Sequence, residues 1–161
     1  MSRKAIAGLA AGAMTLAILV LSACAAPPHL VPGTFGWAQY TDPSLGLTVS
    51  YPDSYTPRVE GDGSYVAFRS GRFTPLIIRF VDEADGRKRG LWFGHPAAGA
   101  VVIGNIEGQQ YMYRHYDGPF GVRMVACVIP WRGKYLALEF RTDGELDPVQ
   151  DEVLRRAVLA P

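Results

Sequence analysis

The sequence predicts an α+β domain: an antiparallel β-meander sheet closed by a C-terminal helix packed on one face. Three observations lead there. Short runs with period-two alternation recur along the chain, as in Gly46-Leu47-Thr48-Val49-Ser50-Tyr51. Glycine-rich turns separate those runs. One stretch, beginning at Asp147, carries apolar residues at helical spacing behind a helix-start signal.

Taken in order, the first strand places Leu47, Val49 and Tyr51 on one face, and Pro52-Asp53-Ser54 stops it. Residues 58–60 and 64–69 flank Gly61-Asp62-Gly63, a hairpin signal because glycine accepts positive φ. Residues 75–81 form a strand rich in Ile and Phe. The stretch 82–99 is weakly patterned and reads as a loop, with room for a turn of helix or a short strand at 91–93. Strands at 100–106 and 109–116 are separated by Glu107-Gly108, read as a tight turn. Asp117-Gly118-Pro119-Phe120-Gly121 connects to a long strand over 122–129, which Pro130 ends. Trp131-Arg132-Gly133 then turns into a strand over 134–141. In the helix, Asp147 is the N-cap, Pro148 takes the first position and Gln150 completes a capping box. Val149, Val153, Leu154, Ala157 and Val158 fall on one face. Arg155 and Arg156 complement the dipole near the C-terminal end.

The N-terminal segment has a different character. Arg3 and Lys4 precede an apolar stretch, residues 5–21, interrupted only by Thr15, Gly8 and Gly12. It ends in Leu21-Ser22-Ala23-Cys24, which resembles the lipobox of bacterial lipoproteins. That resemblance implies diacylglyceryl transfer to the Cys24 sulfur, cleavage before Cys24 with Leu21, Ser22 and Ala23 as the peptidase recognition residues, and palmitate-type acylation of the new amino group. The competing reading is an uncleaved membrane anchor, for which the stretch is at the short limit. The two glycines, the small residues at the cut and the lack of positive charge after Cys24 weigh against it. The organisation expected is therefore a signal peptide over 1–23, a lipidated cysteine with a Pro/Gly-rich tether over 24–36, and a single α+β domain over 37–161. Ala25, where an Asp would mark inner-membrane retention, implies the outer membrane facing the periplasm in a Gram-negative host.

Charge excludes one class of partner. The chain has 16 Lys+Arg against 15 Asp+Glu over 161 residues, and two of the cations lie in the signal. A nearly neutral domain has no electrostatic basis for binding nucleic acid. The cluster Arg87-Lys88-Arg89 follows Asp82, Glu83 and Asp85, so its charge is locally balanced. Cysteine usage is equally restrictive: Cys24 and Cys127 are the two in the chain. If Cys24 is acylated, Cys127 has no intramolecular partner, and the core must hold the fold without a disulfide.

Tyr40-Thr41-Asp42 followed by Gly46-Leu47-Thr48-Val49-Ser50-Tyr51-Pro52-Asp53-Ser54-Tyr55 resembles the opening of PsbP-like domains. Gly133-Lys134-Tyr135-Leu136-Ala137-Leu138-Glu139-Phe140 is similar to a later strand of that family, and the terminal helix occupies the expected place. The chain departs from the pattern at Tyr55, where the family usually has Trp, and over 82–99, where it usually has a clear helix. The resemblance implies a fold shared by binding and assembly modules that have no common catalytic site.

Candidate chemistry is sparse. Cys127 could act as a nucleophile with His115 and Asp117, but Val125-Ala126-Cys127-Val128-Ile129 reads as buried strand, where a thiol is structural. His29, His95 and His115 lack metal-ligand spacing, so neither a metal nor a cofactor is expected. Asp42, Asp53 and Asp62 occupy turn positions, where their side chains bond to nearby amides. The aromatics carry the strongest signal. Tyr111, Tyr113 and His115 share one strand face, and with Trp92 they form the candidate binding surface. Met112, Arg114 and Tyr116 share the other face, and docking of the terminal helix accounts for one of the two. The functional expectation is a non-enzymatic binding or assembly module held at the membrane by its lipid, facing an envelope protein or glycan. The alternative is a small envelope hydrolase or thiol-dependent enzyme using His115 with Asp117 or Cys127.

Overall fold

The computed structural model describes residues 33, 35–117, 120–142 and 144–160, without the side chains of Asp117 and Phe120. The signal segment, the lipobox residues Leu21 to Cys24, His29 and most of the tether lie outside the described residues, as does the Gly118-Pro119 pair. What is described is two antiparallel sheets, one short helix and a C-terminal helix that docks on the larger sheet.

The smaller sheet has the order β1(Trp37–Asp42), β2(Leu47–Pro52), β10(Val158–Leu159). The larger has seven strands in the order β3(Thr56–Glu60), β4(Tyr65–Ser70), β5(Phe73–Val81), β9(Lys134–Arg141), β8(Phe120–Trp131), β7(Ile106–Asp117), β6(Ala97–Ile103). Between β5 and β6 lies α1(Glu83–Lys88), and α2(Pro148–Arg155) follows β9.

Period-two alternation gives the larger sheet two apolar faces, each buried differently. On one face Val66, Phe68, Leu76, Ile78, Leu138 and Cys127 join Leu47, Val49 and Tyr51 of β2 and Val153 and Leu154 of α2 in a single core. The rings of Tyr40 and Tyr51 meet Phe68 edge-on at 5.7 and 4.8 Å. On the other face Ile77, Met124, Ala126, Val128 and Ala137 pack under Leu91 and Trp92, which follow α1.

The helix start is as expected. The Asp147 carboxylate accepts from the amides of Val149 and Gln150 at 2.8 Å, and the Asp147 amide donates in turn to Gln150 Oε1 at 3.0 Å. Val149, Val153 and Leu154 are buried, each contributing about 1.5–3 kcal/mol of apolar burial. The apolar stripe runs beyond the helix, however. The chain leaves helical geometry at Arg156, and Val158 is exposed on β10, where it pairs with Thr48.

Several boundaries differ from the sequence reading, four of them with a physical reason or consequence. The turn placed at Glu107-Gly108 lies at Gly104-Asn105, and Gly108 is inside β7. Gly104 has φ +63° and donates to the Leu154 carbonyl. A Cβ on Gly108 would come within 2.3 Å of the Val128 carbonyl oxygen, so that glycine serves close strand packing instead of a turn. Pro130 does not end its strand: β8 runs on to Trp131. Trp131–Lys134 closes a two-residue hairpin and exchanges hydrogen bonds, so the next pair, Pro130–Tyr135, does not, and the proline nitrogen faces away from β9. Residues 82–99 contain α1, capped by Asp82 through the Asp85 amide, and the start of β6, with no strand at 91–93. Finally, β1 pairs along its whole length with β2, from Trp37↔Pro52 to Asp42↔Leu47, over residues the sequence left without a strand.

One hairpin tip joins the two sheets. Trp131 Nε1 donates to the Leu45 carbonyl at 2.7 Å. The Arg132 guanidinium donates to the carbonyls of Ser44 at 2.6 Å and Ala160 at 3.1 Å. Arg132 and Gly133 both have positive φ, +47° and +77°, the twist that suits a tight hairpin.

Candidate functional site

The register of the larger sheet decides which chemistry-bearing residues meet. Tyr111 opposes Ala126, Tyr113 opposes Met124 and His115 opposes Val122. All three β7 side chains therefore share the face covered by Trp92. Cys127 opposes Gln110 and belongs to the other face, within the core against α2. The sheet itself separates His115 from Cys127, so the structure does not bring that pair together. Burial, with a smaller contribution from Asp151, pushes the Cys127 thiol up to about 12, which keeps it protonated and unreactive at neutral pH.

The four residues of the candidate binding surface fall into two groups. Trp92 and Tyr113 are 1% and 4% exposed and meet edge-on with ring centroids 6.3 Å apart. They are core, which corrects their assignment to an open surface: the segment after α1 folds back over the sheet and buries them. Gly86 permits that return. Its amide bonds to Asp82, its carbonyl accepts from Leu91, and a Cβ there would overlap the Phe93 ring at 2.1 Å. Tyr111 and His115 remain half-buried on either side of this plug, each at the edge of a cavity. On the opposite face of β7, beyond the reach of α2, Met112 and Tyr116 are 47% and 67% exposed.

Beneath the plug lies a buried polar cluster. Arg79 Nε meets Glu139 Oε1 at 2.9 Å, with the two residues 4% and 0% exposed. Burial opposes the Arg79 charge, but the Glu139 carboxylate more than offsets it and holds the guanidinium above its ordinary range. The Tyr65 ring lies 4.7 Å from the guanidinium carbon. The Tyr113 hydroxyl makes no hydrogen bond of ordinary geometry, yet it lies near enough to Glu139 to feel its charge; burial first, then that carboxylate, push the phenol well up. It therefore stays protonated. An ion pair this deep is costly to break, on the order of 3–5 kcal/mol if one partner is removed.

The plug leaves both ends of the face open. One end is a groove of about 490 Å³, where Tyr111, Tyr135, Gln109 and Glu107 stand beside Val102 and Pro130. The other is a smaller hollow of about 170 Å³ with Arg69, Arg72, Arg141 and His115 around it. Of these residues the sequence singled out Tyr111 and His115. The arginines lie on three different segments, and only strand pairing brings them together. Among the described residues no group of three His, Cys, Asp or Glu side chains is placed to hold a metal ion.

Among known proteins, no family model and no curated protein matches the chain.

Proposed function

We propose that the chain is a lipid-anchored envelope protein of PsbP-like fold that works as a non-enzymatic binding or assembly module. The observation that carries this reading is the half-covered sheet face. A plug built on Trp92 and Phe93 fills its centre and leaves a groove at one end and a cationic hollow at the other. Such a face has preformed relief, tyrosines and polar side chains, which suit an envelope protein or glycan. The lipobox-like Leu21-Ser22-Ala23-Cys24 supports the anchor, and Ala25 supports the outer membrane as its site. The PsbP-like reading draws support from β2 and β9, which coincide with the two resembling motifs, from the terminal helix, and from α1 in the stretch where the family has its middle helix.

The test combines fractionation with crosslinking in native envelopes. The wild-type chain is expected in the membrane fraction with a discrete crosslinked partner. Cys24→Ala should accumulate as unprocessed precursor, because alanine has no sulfur to acylate. Tyr111→Ala should lose the partner while its thermal melting stays at the wild-type value. Normal processing of Cys24→Ala would overturn the anchor. An unchanged crosslink in Tyr111→Ala would remove the groove from the reading.

A further inference from the structure

We infer that the hollow at the far end of the same face is a binding site for a small organic acid, a carboxylate carried on a short aliphatic body. This rests on the binding-module reading and names a ligand class for it. The hollow crosses the sheet: Tyr65, Ala67 and Arg69 come from β4, Ile77 from β5, Arg141 from β9, Val122 and Met124 from β8, and His115 from β7. Arg72 enters from the β4–β5 turn.

Floor and rim differ in chemistry. Ala67, Ile77 and Met124 are buried apolar residues, 1%, 6% and 4% exposed, and form a floor that favours hydrocarbon. The rim is cationic. Glu60 is its one carboxylate, and it is already engaged: Arg69 reaches it at 2.6 Å and the Tyr65 hydroxyl donates to it at 3.2 Å. Arg72 and Arg141 are not paired with a carboxylate among the described residues. Arg141 stands over the Phe73 ring at 5.2 Å, which holds its guanidinium in place. Two guanidiniums with unused fork geometry above an apolar floor match a carboxylate with a hydrocarbon tail. The volume of about 170 Å³ limits the tail to a few carbons. The Arg79–Glu139 pair just below is internally neutral and adds rigidity without competing for the ligand.

Titration of the full chain in detergent with hexanoate tests this, read from the methyl resonances of methionine and the ring resonances of His115. The Met124 methyl and the His115 ring should shift and saturate in the millimolar range, while Met112, on the opposite face, should not move. Hexanol, with the same tail and no charge, should give no saturable shift, and inorganic phosphate should bind at least tenfold more weakly than hexanoate. Arg72→Gln should weaken hexanoate at least tenfold, and Arg141→Gln should do the same. Arg114→Gln, on the other face, should leave it unchanged. Absence of a saturable shift at Met124, equal binding of hexanol, or undiminished binding in both Arg72→Gln and Arg141→Gln would overturn the site. Phosphate binding as tightly as hexanoate would overturn the organic-acid assignment. The readout is independent of the envelope crosslink, so a failed titration with an intact crosslink removes this ligand alone, and the reverse outcome removes the partner alone.

Discussion

Cys127 shows how one residue's setting decides its chemistry. Its thiol is fully buried between β7 and β9 on the face that receives α2, and burial pushes it up to about 12. Alkylation needs an exposed thiolate, and Cys127 has neither the exposure nor the ionisation. Native protein should therefore resist a thiol reagent and label fully once denatured. Cys127→Ala should cost about 1 kcal/mol or somewhat more through the lost contacts, and Cys127→Ser more again, because a polar hydroxyl enters the apolar core. Rapid native labelling that falls in His115→Ala would contradict the opposite-face geometry directly. The reading of Cys127 as buried strand was available from its neighbours, since four apolar residues around a cysteine leave little room for an activating base.

At the scale of elements, legibility followed the simplicity of each burial pattern. The strand at 134–141 matches the structure end to end, because Leu136, Leu138 and Phe140 alternate with residues of the other face. The capping box of α2 was readable because Asp147, Pro148 and Gln150 act within one turn. The strand boundary at Gly108 was not, because the reason for that glycine is the carbonyl of Val128 on a neighbouring strand. The true signal, Gly104-Asn105, was present and is the stronger turn dipeptide. The short helix α1 escaped because Gly86 disfavours helix locally and is kept for the Phe93 ring that lies against it. The same logic hid the candidate site: Arg69, Arg72 and Arg141 become neighbours only through the β4–β5–β9 register. For α2 the expected outcome is direct. Val153→Asp places a charge where the side chain is 2% exposed and should cost on the order of 3 kcal/mol, read as a lower denaturation midpoint. A wild-type midpoint would mean that the helix is not docked.

For the molecule as a whole, the Trp131-Arg132 hairpin tip is the polar link between the two sheets. Arg132 holds both the β1–β2 turn, through Ser44, and the chain after β10, through Ala160. Arg132→Ala should lose about 1–2 kcal/mol, since hydrogen bonds from a charged donor are stronger than neutral ones but these are solvent-exposed. Arg132→Gly would lose the same bonds and recover part of the cost of holding a side chain at positive φ, about 1 kcal/mol. Chemical denaturation of the two variants beside the wild type separates the two contributions. Equal stability of all three would mean that the Arg132 bonds add nothing to the joining of the sheets.

The pairing of β10 with β2 also sets a schedule. Leu159 lies against Leu47 and Val158 against Thr48, so the smaller sheet is completed by residues far apart in sequence. A polypeptide delivered N-terminus first can form the β3–β4–β5 meander from near neighbours early, but β2 must wait for β10 before its last edge is covered. Until then Leu47 and Val49, both fully buried in the finished fold, have no complete shelter. The smaller sheet therefore closes last, and a chain cut before Val158 keeps the β2 edge open at the step when it should be covered.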